Sequence, residues 1–235
     1  MKRVSTWLVA AFSISMLANG SALQAADPTT APADDAEAKY TVDINKRADD
    51  IIALLGELSP EARNSVRTVI TDQYRALRAW QAEHETSLKD LKKKLGDKDA
   101  AEQAKTDIDA IMATRKTLHD SYLAKLGQLL SEKQIEAVKD KMTYNKVKVT
   151  YDAYCDQVLS LTPEQKAVIL KNLVEARELA MDGTSSKEKD EIFGKYKGRI
   201  NIYLSQQGYN MKAEENAWRE RLKQRRAAAT TQSSK

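Results

Sequence analysis

The chain has 235 residues, and its 38 basic and 34 acidic side chains give a formal net charge of +4. With 42% hydrophobic residues it can bury the core of a globular domain, which excludes a disordered polyelectrolyte. The near balance of charge argues against a dedicated nucleic-acid-binding protein, and the eight Gly and four Pro are few for an all-β fold.

The N-terminus has the pattern of a secretory signal. Lys2 and Arg3 precede an apolar run over residues 6–18, which ends in small residues and is shorter than the ~20 residues that span a membrane. We predict a cleaved signal peptide over residues 1–25, with cleavage after Ala22 as the alternative. The mature protein is therefore expected in the periplasm or outside the cell, with no membrane anchor. Cys155 is the single cysteine and lies far from the cleavage site, so neither a lipid anchor nor an intrachain disulfide is expected.

Composition divides the rest of the chain into three parts. Residues 26–39 contain prolines and acidic residues but no large apolar side chain, and they are predicted to be a disordered linker. Residues 224–235 have no periodic apolar face and are predicted to be a disordered basic tail. The intervening residues, 40–223, are predicted to form a helical domain.

Apolar residues recur at helical spacing through this domain. The two longest faces run from Val66 to Leu95 and from Ala101 to Leu129, on either side of a turn at Gly96. The sequence therefore predicts an all-α fold, a long antiparallel helical hairpin followed by a smaller multi-helix bundle. Residues 144–151 alternate Val and Lys and are predicted to be an extended connector.

Three helix starts share a capping pattern. Ser59 precedes Pro60, whereas Ser131 and Thr162 are each followed three residues later by Gln. A Ser or Thr hydroxyl can accept from an orphan backbone N–H, and the Gln can reach back to the cap. We therefore interpret these residues as helix initiators.

No catalytic or cofactor motif is present in the sequence. There is no phosphate-binding or dinucleotide-binding glycine loop and no nucleophile elbow. His84 and His119 do not belong to a metal-binding pair on their helices, so we predict neither a metal nor a cofactor. The sequence supports no enzyme class.

Gly194 and Gly198 lie four residues apart in a helical pattern, where each costs about 1 kcal/mol relative to Ala. They could allow close helix packing, or they could clear a surface for a ligand. Basic and aromatic residues surround them, although Tyr196, Ile200 and Tyr203 also form an ordinary core stripe. The candidate ligand-binding residues are Lys195, Tyr196, Lys197, Arg199, Tyr203, Arg177, Tyr144 and Tyr151.

Several longer motifs carry a family resemblance. They are Met142-Thr143-Tyr144, residues 149–154, residues 161–166, Glu175-Ala176-Arg177-Glu178, residues 180–182, residues 185–189 and residues 194–201. Together they resemble a family of secreted bacterial domains of unknown function, some of which are described as sugar-binding. The resemblance covers most of residues 45–220 and implies export from a Gram-negative bacterium, with no catalytic residues to transfer.

Three functions remain open at this stage. The leading hypothesis is a binding module for a carbohydrate or an acidic polysaccharide, since Tyr rings stack on sugars and fixed cations bind uronates. The alternative is a periplasmic chaperone or scaffold, because the Ser131 and Thr162 helix starts resemble the LTxxQ motifs of periplasmic helical chaperones. The third is an enzyme with an unrecognised site, such as a polysaccharide lyase. No nucleic-acid partner is expected, and the oligomeric state stays open.

Overall fold

The computed structural model describes residues 31–233, and the predicted signal peptide therefore lies outside the described residues. Within this range the chain forms helices and no strand, which confirms the all-α prediction. None of these helices is both long and apolar enough to cross a membrane. The helices are α1 (Ala31–Ile52), α2 (Pro60–Lys94), α3 (Ala101–Gly127), α4 (Glu132–Met142), α5 (Lys146–Gln157), α6 (Pro163–Ala180), α7 (Ser186–Gln206) and α8 (Met211–Ser233).

Helices α2 and α3 pack against each other as the predicted hairpin. Helix α2 begins as expected, with the Ser59 hydroxyl accepting from the Ala62 N–H at 3.2 Å and Pro60 in the first turn. The indole Nε1 of Trp80 donates to Thr114 Oγ1 at 2.8 Å and ties the two helices together midway along α2. Helices α2 and α3 are the two longest helices among the described residues.

The first core is formed by α1 to α4. Their buried apolar side chains pack around Tyr122, whose hydroxyl donates to the sulfur of Met142 at 3.3 Å. Met181, just after α6, is fully buried in the same cluster. This core therefore joins the hairpin to the end of α6. Its other buried members include Ile51, Ile52, Val66, Ile70, Leu126 and Val138.

The second core is formed by α5, α6 and α7 and includes Leu173, Phe193 and Ile200. It corrects one prediction, because residues 146–151, expected to be part of an extended connector, open helix α5. Val147, Tyr154 and Val158 recur at helical spacing and pack into this core. Burial of that face determines the conformation, since a strand would have needed a partner strand.

Two helices reach into the segments that the sequence analysis assigns to a linker and a tail. Helix α1 begins at Ala31 and α8 continues to Ser233, so each extends into a segment predicted to be disordered; residues 26–30 and 234–235 lie outside the described residues. The start of α8 is held against α5, because Trp218 Nε1 donates to Asp156 Oδ2 at 2.7 Å. Arg225, in the predicted tail, binds the other oxygen of Asp156 at 2.7 Å. Hydrogen bonds to Arg225 and Trp218 lower the pKa of Asp156 to about 2.

Candidate functional site

Arg115 of α3 anchors the loop between α6 and α7. The Arg115 side chain is only 8% exposed, and its Nη1 lies 2.7 Å from Glu188 Oε1, while its Nη2 donates to the backbone carbonyl of Asp182. Its guanidinium also lies 5.1 Å from the centroid of the Trp80 ring. One buried cation thereby positions both ends of the loop.

His119 lies one turn further along α3 than Arg115, and it binds the side chain of Asp182. Its Nδ1 lies 2.9 Å from Asp182 Oδ2, and its Nε2 lies 3.9 Å from Glu178 Oε2. The hydrogen bond to Asp182 outweighs burial and raises the pKa of His119 above its ordinary value. The two carboxylates therefore favour the charged imidazolium in the folded protein.

This pKa shift predicts a pH-dependent stability. A folded-state pKa above the unfolded value means that the contribution of His119 is fully present below about pH 6.5 and is lost as the pH rises through the folded pKa. Urea unfolding of the wild type and of His119→Gln, measured from about pH 5 to 7.5, should therefore give curves that converge as the pH rises. Two curves that remain parallel over this range would contradict the assignment.

Arg177, a predicted ligand-binding residue, lies in a second ion-pair cluster. Its side chain is 5% exposed and contacts Asp140 at 2.7 Å, Glu178 at 3.1 Å and Glu136. Burial lowers the pKa of Arg177, but hydrogen bonds to Asp140 and Glu136 outweigh it and raise the pKa. Arg177 thus links α6 to α4, and this contact occupies its guanidinium.

A cavity of about 400 Å³ lies beside the α6–α7 loop, and we call it the cationic pocket. Three cations line it, Arg47 from α1, Arg78 from α2 and Lys189 from α7. Three tyrosines line it as well, namely Tyr40, Tyr74 and Tyr144. Among the described residues that form its wall there is no Asp or Glu. Gln81 and residues 183–186 form the remaining polar part of the wall.

The arginines of the pocket lie against two of its tyrosines. The Arg78 guanidinium is 4.1 Å from the centroid of the Tyr40 ring, and that of Arg47 is 5.6 Å from the centroid of Tyr74. The Tyr40 hydroxyl donates to the Tyr74 carbonyl at 2.8 Å, and this hydrogen bond ties α1 to α2. Burial raises the pKa of Tyr74 to about 12, so its phenol stays neutral.

Lys189 is the most buried cation of the pocket, with only 4% of its surface exposed. Its Nζ donates to the Met142 carbonyl at 2.7 Å and lies 5.7 Å from the Tyr144 ring centroid. Burial lowers the pKa of Lys189 to about 8, and the nearby Arg47 charge adds to the shift. Gly183 makes this position possible, because a Cβ there would lie 2.8 Å from Lys189 Cγ.

The start of α7 forms one side of the pocket. Ser185 caps the helix, its hydroxyl accepting from the Glu188 N–H at 3.1 Å. Burial raises the pKa of Glu188, but Arg115 and hydrogen bonds from Thr184 outweigh it, so the pKa lies below its usual range. Glu188 therefore stays charged and bound to Arg115, while the positive end of the helix dipole faces the pocket.

The structure brings one predicted ligand-binding residue, Tyr144, into this pocket. Lys195, Lys197 and Arg199 lie exposed on α7, outside its wall. Tyr196 is buried in the second core, with the Arg199 guanidinium 4.5 Å from its ring centroid. Partly buried against the same core lie Tyr151 and Tyr203.

The glycine pair on α7 faces open space. A Cβ added to Gly194 or Gly198 would meet no atom within 4 Å, so close helix packing does not explain these glycines. Both glycines therefore lie on an open face of α7.

Besides Lys189 of α7, the cations and tyrosines of the pocket that sequence reasoning missed come from α1 and α2. Tyr74 and Arg78 are four residues apart, and Tyr40 and Arg47 are seven apart, so each pair shares a helix face. That spacing is a signal in the sequence. Only the packing of α1, α2 and α7 shows that the two faces meet Lys189.

Fold and site together define an all-α domain with a cavity lined by cations and tyrosines. A family model described as a protein of unknown function (DUF3826) matches residues 41–224. The chain therefore belongs to this family, and the match includes all the cations of the pocket and two of its tyrosines. No curated protein matches the chain.

Proposed function

We propose that the cationic pocket binds an acidic carbohydrate, a sugar chain that carries carboxylates. The observation that supports this is the lining itself, with three cations and three tyrosines around one cavity and no carboxylate among the described residues that form its wall. The ligand class is the one expected from the sequence, but we assign the binding site to the pocket.

The charges of the pocket favour an anionic ligand. Burial lowers the pKa of Lys189, and repulsion from Arg47 adds to this effect, while Arg78 lines the same cavity. A bound carboxylate would relieve this repulsion and accept hydrogen bonds from the guanidinium groups, which suit the two oxygens of a carboxylate.

The tyrosines favour a sugar over a simple anion. Tyrosine combines an apolar ring face, which can stack on the C–H face of a sugar, with a hydroxyl that can bind sugar oxygens. A volume of about 400 Å³ also lies in the range of small-molecule sites. The pocket is therefore suited to a few sugar units of a longer chain.

Calorimetry with the full chain tests the proposal. We expect a galacturonate oligomer to bind and a neutral galactose oligomer of the same length to bind much more weakly, with affinity falling as salt is added. Arg47→Ala and Arg78→Ala should each weaken binding by roughly tenfold to a hundredfold, because each removes a charged hydrogen-bond donor.

Two control variants locate the site. Arg75→Ala removes an exposed cation of α2 that does not line the pocket and should leave the affinity unchanged. The double change of Lys195 and Lys197 to Ala tests the surface predicted from the sequence. Loss of binding in that double variant, with binding intact in Arg47→Ala, would reject the pocket in favour of the α7 surface.

Because of Lys189, the affinity of the pocket for its ligand should depend on pH. Its ammonium is opposed by the charges of Arg47 and Arg115 and supported by those of Asp182 and Glu188, and its pKa is about 8. A bound anion stabilises the charged form, so binding takes up protons near this pH. The affinity should therefore be weaker at about pH 9 than at about pH 7. An affinity that does not change over this interval would exclude contact between Lys189 and the ligand.

A further inference from the structure

Two consecutive residues between α4 and α5 have an unusual backbone, and the first of them lines the pocket. Tyr144 has φ 58° and Asn145 has φ 54°, both in the left-handed region. Asn tolerates this region because its short side chain can bond locally, whereas an aromatic residue rarely adopts it. The conformation of Tyr144 is therefore strained.

The surrounding structure holds this turn in place. The Asn145 N–H donates to the Asp140 carbonyl at 2.8 Å, which closes the end of α4. Thr143 is fully buried. The Lys189 ammonium donates to the Met142 carbonyl at 2.7 Å from the other side. Contacts on both flanks thus impose the strained conformation between α4 and α5.

Burial of the ring does not offset this strain. Tyr144 remains 52% exposed, and its ring is not a member of either core. The turn instead places the ring in the wall of the pocket, with Lys189 Nζ 5.7 Å and Lys146 Nζ 5.9 Å from its centroid. Strain of this kind persists at functional sites, where the conformation serves the ligand.

We propose that Tyr144 makes the pocket selective for a sugar ring, by stacking its partly exposed side chain on the apolar face of an acidic pyranose while the cations bind the carboxylate. This inference rests on the proposed function. It adds recognition of the ligand's ring to recognition of its charge. An open-chain polycarboxylate satisfies the cations as well as a uronate does, but it offers no flat C–H face to the tyrosine.

The decisive variant is Tyr144→Gly, because glycine adopts a positive φ freely. We expect its melting temperature to be unchanged or higher than that of the wild type. We expect its affinity for a galacturonate oligomer to fall at least tenfold, and its weaker affinity for an oligoglutamate of equal charge to stay the same. Tyr144→Phe, which keeps the ring, should retain most of the galacturonate affinity.

Asn145→Gly is the matched control, since it relaxes the neighbouring residue and leaves the ring in place. It should bind the galacturonate oligomer like the wild type. The inference is overturned if Tyr144→Gly binds galacturonate normally, if it loses both ligands equally, or if its melting temperature falls sharply.

The two proposals fail in different ways. If Arg47→Ala weakens galacturonate binding and Tyr144→Gly does not, the acidic-carbohydrate site stands and only the role of Tyr144 is rejected. If the wild type binds no galacturonate oligomer, or binds oligoglutamate equally well, both the ring selectivity and the carbohydrate assignment are rejected.

Discussion

Replacing Arg115 with Met should lower the free energy of unfolding by about 3–5 kcal/mol, the range seen when one partner of a buried ion pair is removed. Methionine retains the apolar length of the side chain but leaves Glu188 without its cation and the buried Asp182 carbonyl without its donor. Urea unfolding at neutral pH measures the effect. The variant should also bind the galacturonate oligomer more weakly, because the loop that forms the pocket wall loses its anchor.

Lys116→Met is the control for this prediction. Lys116 is the next residue of α3, its side chain is 72% exposed, and it pairs with the exposed Asp120 one turn away. Its loss should change stability by no more than about 0.5 kcal/mol. Adding Glu188→Gln to Arg115→Met should recover part of the stability, because the uncompensated charge is removed. A cost below about 1 kcal/mol for Arg115→Met would show that water reaches the cluster.

Gly183→Ala should lower the free energy of unfolding by about 1–3 kcal/mol, as expected when a methyl group is forced into a packed site. The new Cβ would lie 2.8 Å from Lys189 Cγ and 3.1 Å from the Ala180 carbonyl, so Lys189 must move. Galacturonate binding should weaken in parallel, because the displaced residue lines the pocket. Thermal unfolding and calorimetry of the same preparation measure both effects.

Substitution of Gly194 or Gly198 of α7 should change stability in the opposite direction to substitution of Gly183. Gly194→Ala and Gly198→Ala add a methyl group to open space in a helix, so each should raise stability by about 1 kcal/mol. Pocket binding should be unaffected in both. A Gly183→Ala variant as stable as these two would show that the α6–α7 loop adjusts without cost.

Much of the fold could be predicted because its elements are encoded locally. The Ser59 cap and the Thr162 capping box form where the sequence places them, the latter with Gln165 Oε1 accepting from the Thr162 N–H at 3.0 Å. The segment 146–151 was misassigned because its alternation of Val and Lys resembles a strand over a short window. Its helical period becomes clear only when Tyr154 and Val158 are included.

The candidate site could be predicted only in part, for a different reason. Tyr144 was recognised as a ligand-binding candidate, and it lines the pocket. Arg177 was recognised too, but its guanidinium is taken up by Glu136 and Asp140. A basic residue has the same appearance in a sequence whether its charge meets a carboxylate of another helix or an open cavity.

The sequence by itself determined the all-α class, the long hairpin and the capped starts of α2, α4 and α6, because these follow from apolar periodicity and from hydrogen bonds between residues a few positions apart. Only the tertiary structure decided that Arg47, Arg78 and Lys189 surround one cavity, since they come from three different helices, α1, α2 and the distant α7. It also decided which carboxylates pair with Arg115 and His119. Side-chain pairing between helices depends on how the helices pack, and that information is distributed over the whole core.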